Sequence, residues 1–114
     1  MDDSKVSRTV VIGLMRNRRP DTRFLEAGDG RTALAMALAE RPDLCVLDIN
    51  MPEMTGLEVA EALRQQAPEL RLAILTANVQ EATRARAEAL GVVLHRKPAK
   101  GEVIDAILAA LPQA

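Results

Sequence analysis

The stretch DLCVLDINMPEMTG, from Asp43 to Gly56, places an apolar run directly before a single carboxylate and a turn-forming loop. The run LCVL, residues 44–47, is too short for a helix and is typical of a buried strand. The loop after it contains Asn, Pro, Thr and Gly, several of which favour turns. The stretch therefore predicts a buried strand that carries Asp48 at its carboxyl end.

Short apolar runs alternate with longer helical patterns on both sides of this stretch. The predicted strands are 23–27, 44–47, 72–75 and 92–94, and the predicted helices between and after them are 30–40, 56–66, 80–90 and 101–111. Parallel strands buried on both faces are apolar throughout, and they alternate with covering helices. The pattern therefore predicts an α/β fold whose parallel sheet is covered on both sides.

Residues 6–14 have two interpretations. Val6, Val10 and either Gly13 or Leu14 would share one face of a helix, which favours a helix with that face buried. The run TVVI, residues 9–12, is β-branched and would also suit a strand. We expect a helix here and keep the strand as the alternative.

Length and composition restrict the class of protein. The chain has 114 residues, which suits a single domain over residues 1–114. Fifteen Lys and Arg against sixteen Asp and Glu give no overall attraction to nucleic acid or to an anionic membrane, so we expect neither as a partner. The single cysteine, Cys45, lies in the apolar run and predicts a buried, reduced thiol of a cytoplasmic protein.

Polar side chains follow three successive predicted strands. Asp48, Thr76 and Lys97 should meet at one edge of the sheet, because the carboxyl ends of parallel strands lie together there. A carboxylate can accept a phosphoryl group, and a hydroxyl and an ammonium can bind its oxygens. Phosphoryl transfer also needs a cation, and Asp2 and Asp3 are the acidic pair early enough in the chain to help hold one.

Each of these residues alone has an ordinary explanation. Asp48 could be a turn residue, Asp2 and Asp3 could cap a helix, and Lys97 could be a solvated strand end. Their joint occurrence at the ends of successive strands is what favours a functional site.

The sequence resembles the receiver domain of two-component response regulators. The motifs that carry the resemblance occur in family order: DDS at 2–4, PDLCVLDINMPEMTG at 42–56, LTA at 75–77 and KP at 97–98. The resemblance implies a flavodoxin-like, doubly wound parallel sheet of strand order 2-1-3-4-5 with five helices.

The same resemblance implies roles for individual residues. Asp48 would accept a phosphoryl group from a histidine kinase or a phosphotransfer protein, and Thr76 and Lys97 would contact that group. Mg²⁺ would be held by Asp2, Asp3, Asp48 and the backbone carbonyl of Asn50. The chain would then be a stand-alone phosphoacceptor in signalling and not an enzyme acting on other substrates.

The chain departs from the family pattern in three places. Only Met1 precedes Asp2, where the family has an apolar strand, so we expect a sheet that lacks the family's first strand or is rearranged, and a homodimer. Leu94 stands where the family usually has an aromatic residue. The segment between Thr76 and Lys97 is about one residue shorter than usual.

Two other functions stay open from the sequence. A truncated receiver that is not phosphorylated could act as a dimerisation or protein-interaction module, which the missing strand favours. An aspartyl-nucleophile phosphatase resembles this pattern but has a second Asp two residues after the nucleophile. Asn50 occupies that position here and argues against a phosphatase.

Overall fold

The computed structural model describes residues 1–77 and 79–109, and within them the chain forms five helices and three strands. The helices are α1 (Lys5–Arg18), α2 (Gly30–Glu40), α3 (Gly56–Gln66), α4 (Glu81–Ala89) and α5 (Gly101–Leu108). The strands are β1 (Leu44–Leu47), β2 (Arg71–Thr76) and β3 (Val93–Arg96). Residues 110 and 111 of the predicted last helix lie outside the described part of the chain.

The sheet is parallel, with the strand order β1-β2-β3. Leu44 pairs with Arg71 at one side of β2, and Ala73 pairs with Val93 at the other. The predicted α/β class and the incomplete, doubly wound parallel sheet are confirmed. Three of the four predicted strands are present, and the last one lies slightly later than predicted.

The fourth predicted strand, 23–27, is wrong, because this segment has no regular secondary structure. A strand exists only through hydrogen bonds to a neighbouring strand. The backbone bond that joins this segment to the sheet region runs from the Asp2 N–H to the Ala27 carbonyl oxygen, 3.0 Å. Among the described residues, no strand lies beside this segment to pair with it.

Residues 6–14 belong to α1, so the helical interpretation is confirmed and the strand alternative is wrong. The Ser4 side chain caps the helix by accepting a hydrogen bond from the Ser7 N–H. The predicted buried face is wrong in part, since Val6 is 75% and Val10 46% exposed. The buried face is instead formed by Val11, Leu14 and Met15, which pack with α5.

Two apolar clusters cover the two faces of the sheet. Cys45, Leu47 and Ile74 point towards α2 and α3 and pack against Leu57 and Leu63. The alternate strand residues point the other way and pack against α1 and α5; this second cluster contains Leu44, Val46, Ala73, Met15, Ile104, Ile107 and Leu108. Alternation along each strand thus fills both faces with aliphatic side chains, as expected for a sheet that is covered on both sides.

Cys45 is a free, buried cysteine, as predicted. Burial raises the pKa of its thiol to about 11, so the thiol is protonated at neutral pH. Among the described residues, no helix has both the length and the apolar character needed to cross a membrane.

Candidate functional site

Asp48, Thr76 and Lys97 meet at the carboxyl edge of the sheet. Asp48 follows β1, Thr76 is the last residue of β2, and Lys97 follows β3. The Thr76 hydroxyl donates to Asp48 Oδ1 at 2.7 Å, and Lys97 Nζ donates to Asp48 Oδ2 at 2.8 Å. The Lys97 N–H also donates to the Thr76 carbonyl oxygen at 2.9 Å, which extends the pairing of β2 and β3 to the site.

The Asp48 carboxylate is held by donors on both of its oxygens. Its side chain is buried, and the Asn50 N–H adds a third bond, 3.2 Å to Oδ1. The loop after Asp48 returns to it at Gly56, where an added Cβ would lie 2.1 Å from the Asp48 carbonyl oxygen. Only glycine permits this approach, so Gly56 starts α3 directly against the end of β1.

Lys97 joins Asp48 to the amino-terminal acidic pair. Its Nζ donates to Asp2 Oδ2 at 2.6 Å, while the Ser4 N–H donates to Asp2 Oδ1 at 2.9 Å. Burial acts to raise the pKa of the Asp2 carboxyl, but the hydrogen bonds from Lys97 and Ser4 outweigh it and lower that pKa. Burial acts to lower the pKa of the Lys97 ammonium, but the bonds of that ammonium to the Asp2 and Asp48 carboxylates outweigh burial, and the pKa of Lys97 is raised. Both groups are therefore charged at neutral pH.

Met1 and Asp2 are held between β1 and the segment before α2. The Met1 amino group donates to the Val46 carbonyl oxygen, and the Asp48 N–H donates to the Met1 carbonyl oxygen, each at 2.9 Å. The Asp2 N–H donates to the Ala27 carbonyl oxygen on the opposite side. The two bonds between Met1 and the β1 region have the hydrogen-bond pattern of paired parallel strands. Met1 and Asp2 thereby place the Asp2 carboxylate beside Asp48.

Arg8 is a residue of this region that the sequence did not indicate. Its Nη1 donates to the Asp2 carbonyl oxygen at 2.6 Å, and its Nε donates to Glu26 Oε1 at 3.0 Å. Arg8 thereby ties α1 to the backbone of Asp2. An arginine in a polar helix segment is usually solvated, so nothing in the sequence pattern pointed to this contact.

The donor set fits a hard divalent cation. Carboxylate oxygens of Asp2, Asp3 and Asp48 all lie within 4.8 Å of one another, and Asp3 is exposed to solvent. Mg²⁺ binds in proteins through one or two carboxylates together with water, which this arrangement allows. The Lys97 ammonium contacts two of the three carboxylates and offsets part of their charge. The predicted ligands Asp2, Asp3 and Asp48 are thus brought together, and Asn50 contacts Asp48 through its N–H.

Comparison with known proteins identifies the family. The model of the response regulator receiver domain matches residues 1–108. The chain belongs to this family. Receiver domains are signalling domains of two-component systems, and an acidic pocket that binds Mg²⁺ is one of their features.

Similar proteins come from curated sequences and from solved structures. The probable transcriptional regulatory protein TcrX of Mycobacterium tuberculosis is 49% identical over 77 residues, which cover 68% of this chain and 32% of TcrX. The chemotaxis protein CheY4 of Vibrio cholerae superposes with a TM-score of 0.83 at 30% identity, covering 97% of this chain and 93% of CheY4. The signal receiver domain of NarL from M. tuberculosis superposes with a TM-score of 0.84 at 29% identity. The superposition covers 95% of this chain and 89% of the NarL chain.

The chain spans about a third of the length of TcrX. By contrast, it spans nearly the whole of the CheY4 and NarL receiver chains. The similarity is therefore to the receiver part of the longer regulator.

We predict that Lys97→Met strengthens binding of a divalent cation at the acidic cluster. The substitution removes a positive charge that contacts Asp2 and Asp48 and competes with the cation for their oxygens. We expect roughly fivefold tighter binding, since a charge contact at a partly exposed site is worth on the order of 1 kcal/mol. Mn²⁺ titration followed by water proton relaxation, supported by calorimetry with Mg²⁺, measures the change.

Lys100→Met is the matched control, because it removes the same charge from an exposed position at the start of α5. Its affinity should stay within about twofold of the unchanged protein. Equal or weaker cation binding by the Lys97→Met variant would show that Lys97 does not compete for these oxygens.

Proposed function

We propose that this protein is a phosphoacceptor in two-component signalling and that Asp48 receives the phosphoryl group. The observation that carries the proposal is the convergence of one buried carboxylate, one hydroxyl and one ammonium at the edge of the sheet. Asp48 accepts hydrogen bonds from both Thr76 and Lys97. Membership of the receiver family supports the same role.

In the proposed reaction, an Asp48 carboxylate oxygen attacks the phosphorus atom of the donor. A new bond forms between that oxygen and phosphorus, and the bond from phosphorus to the donor's leaving atom breaks. Thr76 and Lys97 then move from the carboxylate to the phosphoryl oxygens. Their positions suit this exchange, because a hydroxyl and an ammonium are good donors to an anionic oxygen.

We propose that Mg²⁺ binds at Asp2, Asp3, Asp48 and the backbone carbonyl of Asn50. The cation would neutralise the charge that develops on the transferred group. The carboxylate cluster supports this assignment, since its three side chains offer oxygens close to one another. Lys97 would release Asp2 when the cation binds, and would keep its place beside Asp48.

We further propose that the donor is a histidine kinase or a phosphotransfer protein, and that the chain acts in the cytoplasm as a stand-alone receiver. The near-complete coverage of the receiver chains of CheY4 and NarL supports a receiver unit that needs no second domain to fold. We propose that neither nucleic acid nor a membrane is a direct partner. The balanced charge, fifteen basic against sixteen acidic side chains, supports this view.

Phosphoryl acceptance is tested by intact mass after incubation with Mg²⁺ and acetyl phosphate. We expect a gain of one phosphoryl group in the unchanged protein and none in Asp48→Asn, because the amide cannot act as the nucleophile. Asp43→Asn is the control, since this exposed carboxylate lies at the opposite end of β1. It should be phosphorylated like the unchanged protein.

Two outcomes contradict the proposal. One is a folded protein that gains no phosphoryl group with Mg²⁺ at millimolar concentration. The other is a gain that persists in the Asp48→Asn variant, which would place the modification elsewhere.

We propose that the chain forms a homodimer. The three-stranded sheet supports this, because β1 lies at its edge among the described residues, and the backbone groups of an edge strand can pair with another chain. Sedimentation velocity at micromolar concentration should give a dimer. A stable, compact monomer under these conditions contradicts it.

A second candidate function is a receiver that acts by protein interaction without phosphorylation. A cavity of about 650 Å³ beside β1 favours it, since a cavity of this size can accommodate a ligand or a peptide segment. A folded protein that binds a partner equally well before and after the acetyl phosphate treatment would support this function over the first.

A further inference from the structure

Arg8 lies at the end of the first turn of α1 and contacts two other parts of the chain. Its Nη1 donates to the Asp2 carbonyl oxygen at 2.6 Å, and its Nε donates to Glu26 Oε1 at 3.0 Å. The guanidinium also lies against Gly28, where an added Cβ would be 3.2 Å from Nη1. The Arg8 side chain is only 17% exposed, so it is enclosed between α1, the acidic pair and the segment before α2.

The oxygen that Arg8 holds belongs to the peptide group that joins Asp2 to Asp3. A peptide group is planar, so a hydrogen bond to its oxygen restricts the plane from which both residues extend. On the other side of Asp2, the N–H donates to the Ala27 carbonyl oxygen at 3.0 Å. Both backbone groups of Asp2 are therefore held, and this limits the directions that the Asp2 and Asp3 side chains can take.

The packing of α1 holds Arg8 itself in place. Val11, Leu14 and Met15 of this helix belong to the apolar cluster that contains the buried residues of α5. The Arg8 N–H donates to the Ser4 carbonyl oxygen at 3.0 Å, which joins its backbone to the start of the helix. The position of the acidic pair thus depends, through Arg8, on a helix that is packed into the core.

Glu26 balances the charge of Arg8. A positive charge near an acidic cluster lowers the affinity of that cluster for a cation, because like charges repel. The Glu26 carboxylate lies 3.0 Å from the guanidinium and offsets this repulsion. Lys97 differs from Arg8, since its ammonium contacts the carboxylate oxygens of the cluster themselves. Arg8 contacts a backbone oxygen and does not compete with a cation for that carboxylate contact.

We propose that Arg8 is a positioning residue of the cation site, whose guanidinium holds the peptide group between Asp2 and Asp3 so that both carboxylates lie beside Asp48. This proposal rests on the proposed binding of Mg²⁺ at the same cluster. Removal of a group that orients the ligands of a metal commonly weakens metal binding by roughly 10- to 100-fold. Arg8 has this effect through the backbone of the ligand residues.

Titration of the full chain with Mn²⁺, followed by water proton relaxation without a phosphodonor, tests the proposal. The Arg8→Met variant keeps the aliphatic part of the side chain and loses both donors. We expect Mn²⁺ binding to weaken on the order of tenfold. Charge alone predicts the opposite, because removal of a positive charge near the cluster strengthens cation binding, as expected for Lys97→Met. The direction of the change therefore separates positioning from electrostatics.

Arg41→Met is the matched control. Arg41 also pairs with a glutamate, Glu69 at 2.6 Å, but it lies at the end of α2, near the start of β1. Its Mn²⁺ affinity should stay within about twofold of the unchanged protein. Arg8→Lys keeps the charge and a donor but lacks the planar fork that holds two groups at once. Its affinity should lie between those of the unchanged protein and Arg8→Met.

Two readouts distinguish positioning from a loss of folded protein. Unfolding lowers the number of Mn²⁺ sites per chain, whereas lost positioning raises the dissociation constant of the folded molecules. In phosphorylation by acetyl phosphate, the Mg²⁺ concentration for half-maximal rate should rise on the order of tenfold in Arg8→Met. The rate at saturating Mg²⁺ should stay within about twofold of the unchanged protein, because the nucleophile is intact.

Mn²⁺ binding by folded Arg8→Met that equals or exceeds that of the unchanged protein overturns the proposal. If Arg8→Met does not fold, Arg8→Lys decides, and an affinity equal to that of the unchanged protein overturns the proposal. Absence of Mn²⁺ binding by the unchanged protein at millimolar concentration overturns it together with the proposed Mg²⁺ site. A protein that shows the expected order of affinities but gains no phosphoryl group supports the role of Arg8 and contradicts the phosphoacceptor function alone.

Discussion

The arrangement at the site depends on three backbone hydrogen bonds made by Met1 and Asp2. Met1 is bonded to Val46 and Asp48 of the β1 region, and Asp2 is bonded to Ala27 on the other side. The two bonds of Met1 hold the amino terminus against β1, and the bond of Asp2 holds the segment 22–27 against the amino terminus. Together they place the Asp2 carboxylate beside Asp48. Lys97 reinforces this placement, since its ammonium bridges the two carboxylates. A single dipeptide thus holds the amino-terminal half of the site to the sheet.

The incomplete sheet and the site are compatible because the site residues are bonded to one another directly. The carboxyl edge is held by β1, β2 and β3 together with the loop that returns at Gly56. The cavity beside β1 extends along the whole strand, since Leu44, Val46 and Asp48 all line it.

The sequence predicted much of the fold and most of the site from local signals. The run 44–47 and its following Asp48 were correctly predicted, because an apolar run that ends in a carboxylate and a turn depends only on neighbouring residues. The convergence of Asp48, Thr76 and Lys97 followed from the geometry of parallel strands alone. The strand predicted at 23–27 was wrong. The apolar pattern of this segment suits a strand, but among the described residues no neighbouring strand pairs with it. The Arg8 contact and the ladder made by Met1 depend on tertiary placement, which periodicity does not report.

The central claim is that the backbone hydrogen bonds of Met1 and Asp2 hold the amino-terminal acidic pair beside Asp48. Amide hydrogen exchange tests this claim by comparing the exchange rates of two backbone amides in the β1 region, those of Asp48 and Val46. The Asp48 N–H is bonded to Met1, whereas the Val46 N–H faces the cavity. The account predicts that the Asp48 amide exchanges at least about 100-fold more slowly than the Val46 amide. Equal exchange rates at the two amides would contradict it.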